Sequence, residues 1–498
     1  MKNLKNILLV AVLLALTTRC GDILEPQPQG QVGLDVLFST EENAITAVNG
    51  LYNPLPSLYG SPLLRLVNMA SDDGWTWRNE LETDIYIVEQ SFNHSRTAWS
   101  NFYTMLTRAN TVLEGIPNVS WSSDEMKNVS EGQAKFIRAF AYFNLVRLFG
   151  GVPLITNTVK TPSDAALPRA TVTEVYALIK SDLTDAIASL PTTYSGGNGL
   201  EPGRATKYAA QILMAYVHLE LEEWSEASAV AGSLIGEGTL LPFADNFNGS
   251  NENGTGSFFE IQYAGPGAGA SSSQNSWYLP PAFTGGAASL PTDDNLNGTG
   301  GGPSSGGGLV QAFEPGDNRR DVTISTYGVA NFIDPTQPDG SLYYVNKYYN
   351  ASVLPGESDW NVPLYRYADA LLVAAEALNE QGYVADGAAF DHLNAIRTHA
   401  GLDALTSTDL PEQDAFRTAV RKERRIEFAF EYKRYFDLNR WGILEPTIQP
   451  QLTYLGLSFP SSKVSAHPIT GRNYYLYPIP DVEFLNNAEL GDQNPGYD

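Results

Sequence analysis

Apolar residues recur with helical spacing through residues 40–240 and again from 364 to 441, and the stretch between them loses that rhythm. The pattern predicts helices over Thr40–Tyr52, Thr97–Ile116, Gly132–Phe149, Val172–Leu190, Ala205–Glu222 and Ser225–Ile235. Leu213–Ser228 (LMAYVHLELEEWSEAS) can be laid over Leu372–Gly387 (LVAAEALNEQGYVADG), with Trp224 opposite Tyr383 at the bend. Small alanines inside and an aromatic at the turn are the signature of tetratricopeptide-like hairpins, which stack because one hairpin cannot bury its own apolar face. The expected fold is therefore mainly α, with four antiparallel hairpins drawn from both sides of a large insertion; a helical bundle without repeats is the alternative.

Residues 241–362 form that insertion, inside a C-terminal region of 241–498 that follows an N-terminal helical region of 39–240. Gly265–Ser273 (GPGAGASSS), Asn297–Gly308 (NGTGGGPSSGGG) and Asp334–Gly340 (DPTQPDG) separate short aromatic or β-branched runs, Phe258–Tyr263 and Ser341–Tyr349. Long loops displayed on a rigid scaffold are where binding surfaces are found, which singles out Trp277, Tyr278, Phe283 and Trp360, the last beside Asp359 and Asn361. Trp99, Trp121 and Trp441 sit in or beside predicted helices and are expected to fill the core.

Val420–Gly442 (VRKERRIEFAFEYKRYFDLNRWG) interleaves charges with aromatics too densely for a solvated helix face. Glu423, Glu427 and Glu431 recur every four residues and Arg434 follows three later, so the segment reads as one helix carrying a partly buried ion-pair network. Ser71–Glu80 (SDDGWTWRNE) alternates Trp75 and Trp77 in a polar stretch. A sugar ring has an apolar C–H face and a polar rim, and its binding needs aromatic platforms flanked by amide, guanidinium and carboxylate groups. Core packing of one or both tryptophans is the competing reading. The adjacent Asp72 and Asp73 read as a solvated or hydrogen-bonding loop ahead of a glycosidase pair.

Other chemistry is poorly supported. Gly302, Ser304 and Gly306 fit Gly-x-Ser-x-Gly, but within a glycine tract that would leave the serine unpositioned. The 5 histidines are scattered without zinc spacing, and no Gly-Lys dipeptide exists for a phosphate loop. The expectation is a protein with no catalytic residues, no metal and no cofactor.

Composition adds location. A folded core is implied by 43% hydrophobic residues and 26 tyrosines. Lys2 and Lys5 precede an apolar run from Ile7 to Leu16, too short to span a bilayer and suited to an export signal over residues 1–19. Cys20, the only cysteine, stands where bacterial lipoproteins are cleaved and acylated, so residues 20–38 would be a lipid-anchored tether; Arg19 departs from the small residue usual before that cysteine. Loss of residues 1–19 would take the net charge from −25 to −28, which disfavours nucleic acid as a partner.

Three segments, Tyr365–Glu380 (YRYADALLVAAEALNE), Val420–Gly442 and Tyr477–Tyr497 (YPIPDVEFLNNAELGDQNPGY), closely resemble the SusD/RagB family of outer-membrane nutrient-binding lipoproteins. Gly132–Ile155 (GQAKFIRAFAYFNLVRLFGGVPLI) resembles the family's N-terminal helix ending in Gly-Val-Pro, and Leu393–Leu402 (LNAIRTHAGL) its Asn-x-x-Arg-x-x-Ala-Gly element. Several separated patterns in order are more specific than any one motif. The resemblance implies the same hairpin scaffold and an outer-membrane, lipid-anchored, cell-surface protein. It would bind an oligosaccharide or polysaccharide, uncleaved, for delivery to a SusC-like TonB-dependent transporter. It also carries ligand binding to Asp73, Trp75, Trp77, Arg78 and Asn79. An oligopeptide ligand, a secreted glycoside hydrolase and a periplasmic tetratricopeptide adaptor are the alternatives.

Overall fold

The computed structural model describes residues 34–75, 82–197, 200–279, 290–291, 308–328, 341–354 and 356–497. The expected leader, Cys20, Trp77, Arg78, Asn79 and Phe283 lie outside the described residues.

Among the described residues the helices that matter most to the fold are α1 (Glu41–Asn49), α2 (Asn93–Gly115), α3 (Asp124–Phe149), α4 (Val172–Ser189), α5 (Lys207–Glu220), α6 (Trp224–Gly232), α7 (Tyr367–Gln381), α8 (Ala388–His399), α9 (Gln413–Glu427) and α10 (Arg434–Arg440). Their starts follow local chemistry. The Thr40, Ser123 and Thr206 hydroxyls accept from the backbone N–H groups of Asn43, Met126 and Ala209, and Thr171 with Glu174 forms a reciprocal capping box. From Gly132 onward α3 is buried on nearly all sides, which makes it the central helix. Arg138 on α3 donates two hydrogen bonds of 2.8 Å to Asp182 on α4, fixing their rotation.

The helices pack in succession, α2 on α3, α3 on α4, α4 on α5 and α5 on α6, and the stack then passes from α6 straight to α7 across the whole insertion. Gln381 at the end of α7 donates to the Trp224 carbonyl (3.1 Å) and the Ser228 hydroxyl (2.7 Å) of α6. The mainly α architecture expected from periodicity is therefore present. The overlay of the two hairpins holds for α5 and α7 but slips at the bend: residues 221–223 join α5 to α6, whereas 382–387 join α7 to α8. Trp224 opens its helix, and Tyr383 lies in the connection with its hydroxyl donating to the Leu410 carbonyl (2.6 Å). Trp99 and Trp441 are buried in the core, and Trp121 packs against it.

The described strands are short and pair antiparallel: β1 (Gly74–Trp75), β2 (Ser257–Ile261), β3 (Leu290–Pro291), β4 (Ile324–Gly328), β5 (Ser341–Val345), β6 (Val362–Arg366), β7 (Val464–Ala466) and β8 (Asn473–Tyr475). The pairs are β1–β3, β2–β6, β4–β5 and β7–β8. Pairing of β2 with β6 brings the two ends of the insertion together, so the stack can continue as if uninterrupted. Among the described residues no helix is long and apolar enough to cross a membrane.

The C-terminal segment closes the end of α3. Gly150, at φ +75°, ends that helix, and its last carbonyls are satisfied from far along the chain: Tyr477 N–H donates to Leu148 O (2.8 Å) and the Asn494 amide to Phe149 O (3.0 Å). Arg169 bridges the same place, donating to Phe149 O (3.2 Å) and to Asn494 Oδ1 (2.7 Å). Two of the segments singled out in the sequence thus form one joint.

Candidate functional site

The expected single helix over 420–442 is two helices. After Glu427 the chain turns through Phe430 (φ 61°) and Tyr432 (φ 60°), both in the left-handed region that bulky residues rarely occupy, before α10 begins at Arg434. Asn68 holds this turn. Its amide donates to Phe430 O (3.1 Å) and its carbonyl accepts from Tyr432 N–H (2.9 Å), while Nδ2 also reaches the Tyr278 hydroxyl at 2.7 Å. Asn68 ends a turn of π-helix, Leu64–Asn68, that leads directly into the Asp72–Trp75 segment.

The break redirects the charges, whose partners come from other elements. Arg366, at the end of β6, donates to Glu431 at 2.9 and 2.8 Å and to Glu427 at 2.8 Å. Lys347 Nζ, 3% exposed as a residue, donates to Glu431 Oε1 (2.9 Å) and Ala429 O (3.0 Å). Arg319 grips Asp317 and lies 2.7 Å from Glu423 and 3.0 Å from Glu427. Burial alone would raise the Glu431 carboxyl, but Arg366, Lys347 and Lys433 outweigh it and hold it at about 2. For Lys347 burial dominates and lowers the ammonium to about 8 despite Glu431. These ties fasten the insertion to the end of α9, so the network sets where the insertion sits.

A second group of ion pairs gathers on Asp72 and Asp73, just ahead of Trp75. Arg434 donates to both Asp72 oxygens at 2.7 and 2.9 Å. Arg425 donates to Asp73 Oδ1 (2.9 Å) and to the Asp72 carbonyl (2.6 Å), and its Nη2 lies 3.1 Å from Asp72 Oδ2. Burial pushes both carboxyls up. On Asp72 the two guanidiniums prevail and hold it at about 2, whereas on Asp73 burial prevails and the carboxyl is raised. The two aspartates fit the hydrogen-bonding reading of this loop, and Asp73, 1% exposed, is buried against Arg425, which corrects its reading as a ligand contact.

The sequence-derived binding residues therefore separate. Trp75 pairs through its backbone with Leu290, which sets the 71–75 segment beside the insertion, and β3 in turn lies against β5. Trp277 is half-buried on the short helix Gln274–Tyr278, with its indole N–H donating to Ser273 Oγ (3.1 Å) and the Arg65 guanidinium 5.1 Å from its ring centre. Tyr278, 1% exposed, stacks on Tyr348 at 5.7 Å and hydrogen-bonds Asn68, which makes it a core residue and corrects its reading as a ligand platform. The reason is that the short helix folds back onto the π-turn instead of projecting. Trp360 is half-exposed and its indole lies over Gly249, where a Cβ would come within 2.5 Å of the ring. Nothing in composition pointed to Asn68 or Arg425 as supports of the site. Their signal was present in the dense charge of 420–442 and in the Asp72–Asp73 pair, but the pairing spans most of the chain. Among the described residues no group of three or more His, Cys, Asp or Glu side chains is arranged to hold a metal ion.

Comparison with known proteins matches two parts of the chain to SusD-type profiles. The profile of the SusD family covers residues 338–497, and one described as starch-binding, associating with outer membrane, covers 61–219. The chain is 28% identical over 520 residues to SusD-like protein P2 of Formosa agariphila, spanning 98% of each. A SusD homolog from Bacteroides thetaiotaomicron superposes with TM-score 0.72 at 25% identity, covering 92% of this chain and 97% of that one. A laminarin binding SusD-like protein superposes with TM-score 0.71 at 24% identity, covering 92% and 100%.

Proposed function

We propose that this chain, which belongs to the SusD/RagB family, captures a glycan at the outer membrane without cleaving it and hands it to a SusC-like TonB-dependent transporter. The observation that carries this reading is the support under the tryptophan segment. Two largely buried arginines from α9 and α10 clamp Asp72 and Asp73, just ahead of Trp75, and β3 flanks the same segment. A loop fixed at its root can hold aromatic faces in a set orientation, which reduces the entropy lost when a flexible sugar chain stacks on them. Trp75, Trp77, Arg78 and Asn79 are the residues assigned to contact, with Trp277 and Trp360 as further platforms.

Relatives support the class of ligand. Starch and laminarin appear in the descriptions of a matching family profile and of a similar structure. Attachment through acylated Cys20 agrees with the family profile's association with the outer membrane and with the expected leader.

Affinity electrophoresis of the mature chain carrying Cys20→Ser, in gels containing starch, laminarin or other polysaccharides, tests the reading. At least one polymer should retard the protein, and Trp75→Ala with Trp77→Ala should abolish most of the retardation. Migration unaffected by every polymer, alongside capture of oligopeptides, would replace the glycan with a peptide ligand. Release of reducing ends would make the protein an enzyme.

A further inference from the structure

A pocket of about 290 Å³ opens between the α4–α5 connection, the turn after α6 and the start of β2, built from the hairpin stack and the base of the insertion rather than from the tryptophan segment. Its size matches the lower end of small-ligand pockets, about 300 Å³. One wall is aromatic: Tyr208 lies against Phe258 with ring centres 5.9 Å apart, and Tyr194 is buried beside them. Tyr208 is also held at its far end, where its hydroxyl donates to Glu237. A ring fixed at both its face and its hydroxyl is a prepared stacking surface.

Elsewhere the lining includes the hydroxyl residues Thr192, Thr193, Thr206, Thr255 and Ser257. Arg204 enters with its charge already matched by Glu201, at 3.1 and 2.6 Å, so it can donate without attracting an anion strongly. Glu260 forms the floor, 6% exposed, its carboxylate accepting from Asn361 Nδ2 (2.9 Å) and Asn253 N–H (2.9 Å). An aromatic wall faced by hydroxyls, a guanidinium already paired and two carboxyls already engaged suits a polyhydroxylated ring and offers little to an anion.

We infer that this pocket is a second carbohydrate site, which takes one neutral sugar residue of a glycan and stacks it on Tyr208. A weak second grip would hold a polymer that the tryptophan segment has released. The choice of sugar as ligand rests on the family reading above; the pocket geometry does not.

Maltotriose and laminaritriose, titrated by calorimetry and by saturation-transfer NMR into the mature Cys20→Ser chain, are the probes. Trp75→Ala/Trp77→Ala should leave residual binding of at least one probe. Adding Thr193→Trp, an exposed rim position where an indole would fill the mouth, should weaken that residue of binding by about tenfold or more with the melting temperature unchanged. Tyr208→Ala should do the same. No residual binding in the double tryptophan variant, or residual binding indifferent to both pocket variants, would overturn the second site and leave the proposed function intact. Full binding in the tryptophan variant that Thr193→Trp abolishes would instead keep the pocket and displace the tryptophan site. No binding by the unaltered chain would remove both.

Discussion

Arg434 meets Asp72 across 362 positions of sequence, with Nε 2.7 Å from one carboxylate oxygen and Nη2 2.9 Å from the other. Both side chains are 12% exposed, so the pair is largely withdrawn from water. Losing Arg434 leaves Asp72 with Arg425, whose Nη2 lies 3.1 Å from Asp72 Oδ2, to offset its withdrawal from water. Arg434→Met is expected to lower unfolding stability by about 1.5–3 kcal/mol, the range for hydrogen bonds to charged groups, because Arg425 still partners Asp72. Asp72→Asn combined with Arg434→Met should recover part of that loss. Urea denaturation of the three variants checks it; a single-variant loss of about 1 kcal/mol or less, the scale of an exposed pair, would mean the contact is solvated.

Acid should unfold the protein through the same network. Glu431 is held at about 2 against an ordinary 4.5, and Asp72 and Asp437 at about 2 against 3.8. A carboxyl depressed in the folded state adds stability above its unfolded value and loses it as pH falls toward the folded one. The window therefore runs from about pH 4.5 down to about pH 2, with Glu431 alone contributing on the order of 3 kcal/mol. Asp73 and Glu423 are raised by burial, so falling pH relieves their penalty and offsets part of the loss. Melting temperatures should drop steeply between pH 4.5 and pH 2.5, and Glu431→Gln should be less stable at pH 7 with a shallower acid slope. A melting temperature that holds or rises over that interval contradicts the assignment.

Asn68 is expected to be as sensitive as the ion pairs although it carries no charge. Its side chain satisfies Phe430 O and Tyr432 N–H, the backbone groups of a left-handed turn that cannot use a regular ladder. Asn68→Leu fills similar space and leaves Tyr432 N–H buried without its partner, while Phe430 O keeps the Tyr348 hydroxyl at 3.1 Å, so the cost is about 1–3 kcal/mol for the one group stranded. Asn68→Asp should be worse than Asn68→Leu at neutral pH, because a carboxylate would face the Phe430 carbonyl. Chemical denaturation of the pair, compared in order, decides; equal stability of Asn68→Leu and the unaltered chain would show that water replaces the amide.

The stacked helices were legible because burial writes a period into the sequence: α4 and α5 begin and end within two residues of the spans read from apolar spacing alone. That the stack resumes beyond the insertion was legible from the same period, whereas the packing of α6 directly on α7 came only from the structure. The turn at 428–433 was not legible. Phe430 and Tyr432 adopt φ values that sequence rules reserve for glycine or asparagine, and the turn is held by Asn68, far upstream, with Lys347 and Tyr348 from the insertion. Tyr278 misled for a related reason: an aromatic in a glycine-rich stretch looks displayed until the local helix is seen folded against Tyr348. What separates the two kinds of residue is whether their surroundings are set by neighbours in sequence or by partners hundreds of positions away.

The Gly150–Gly151 joint gives a test that depends on space alone. A Cβ on Gly151 would sit 2.3 Å from the Ala170 carbonyl oxygen, and that strand of backbone is tied in place by Ala170 N–H donating to Val152 O at 3.0 Å. A backbone oxygen cannot rotate aside as a side chain can, so Gly151→Ala must push the α3 terminus from the segment that Arg169 and Asn494 lock to the C-terminus. Overpacking of this kind costs about 1–3 kcal/mol. Gly232, the last residue of α6, is the contrast: nothing lies within 4 Å of its Cβ position. Gly232→Ala should therefore stabilise by about 0.5–1 kcal/mol through lower chain entropy in the unfolded state. Thermal and urea unfolding of both variants checks the sign as well as the size, and a Gly151→Ala protein as stable as the unaltered chain would show that the joint has room to open.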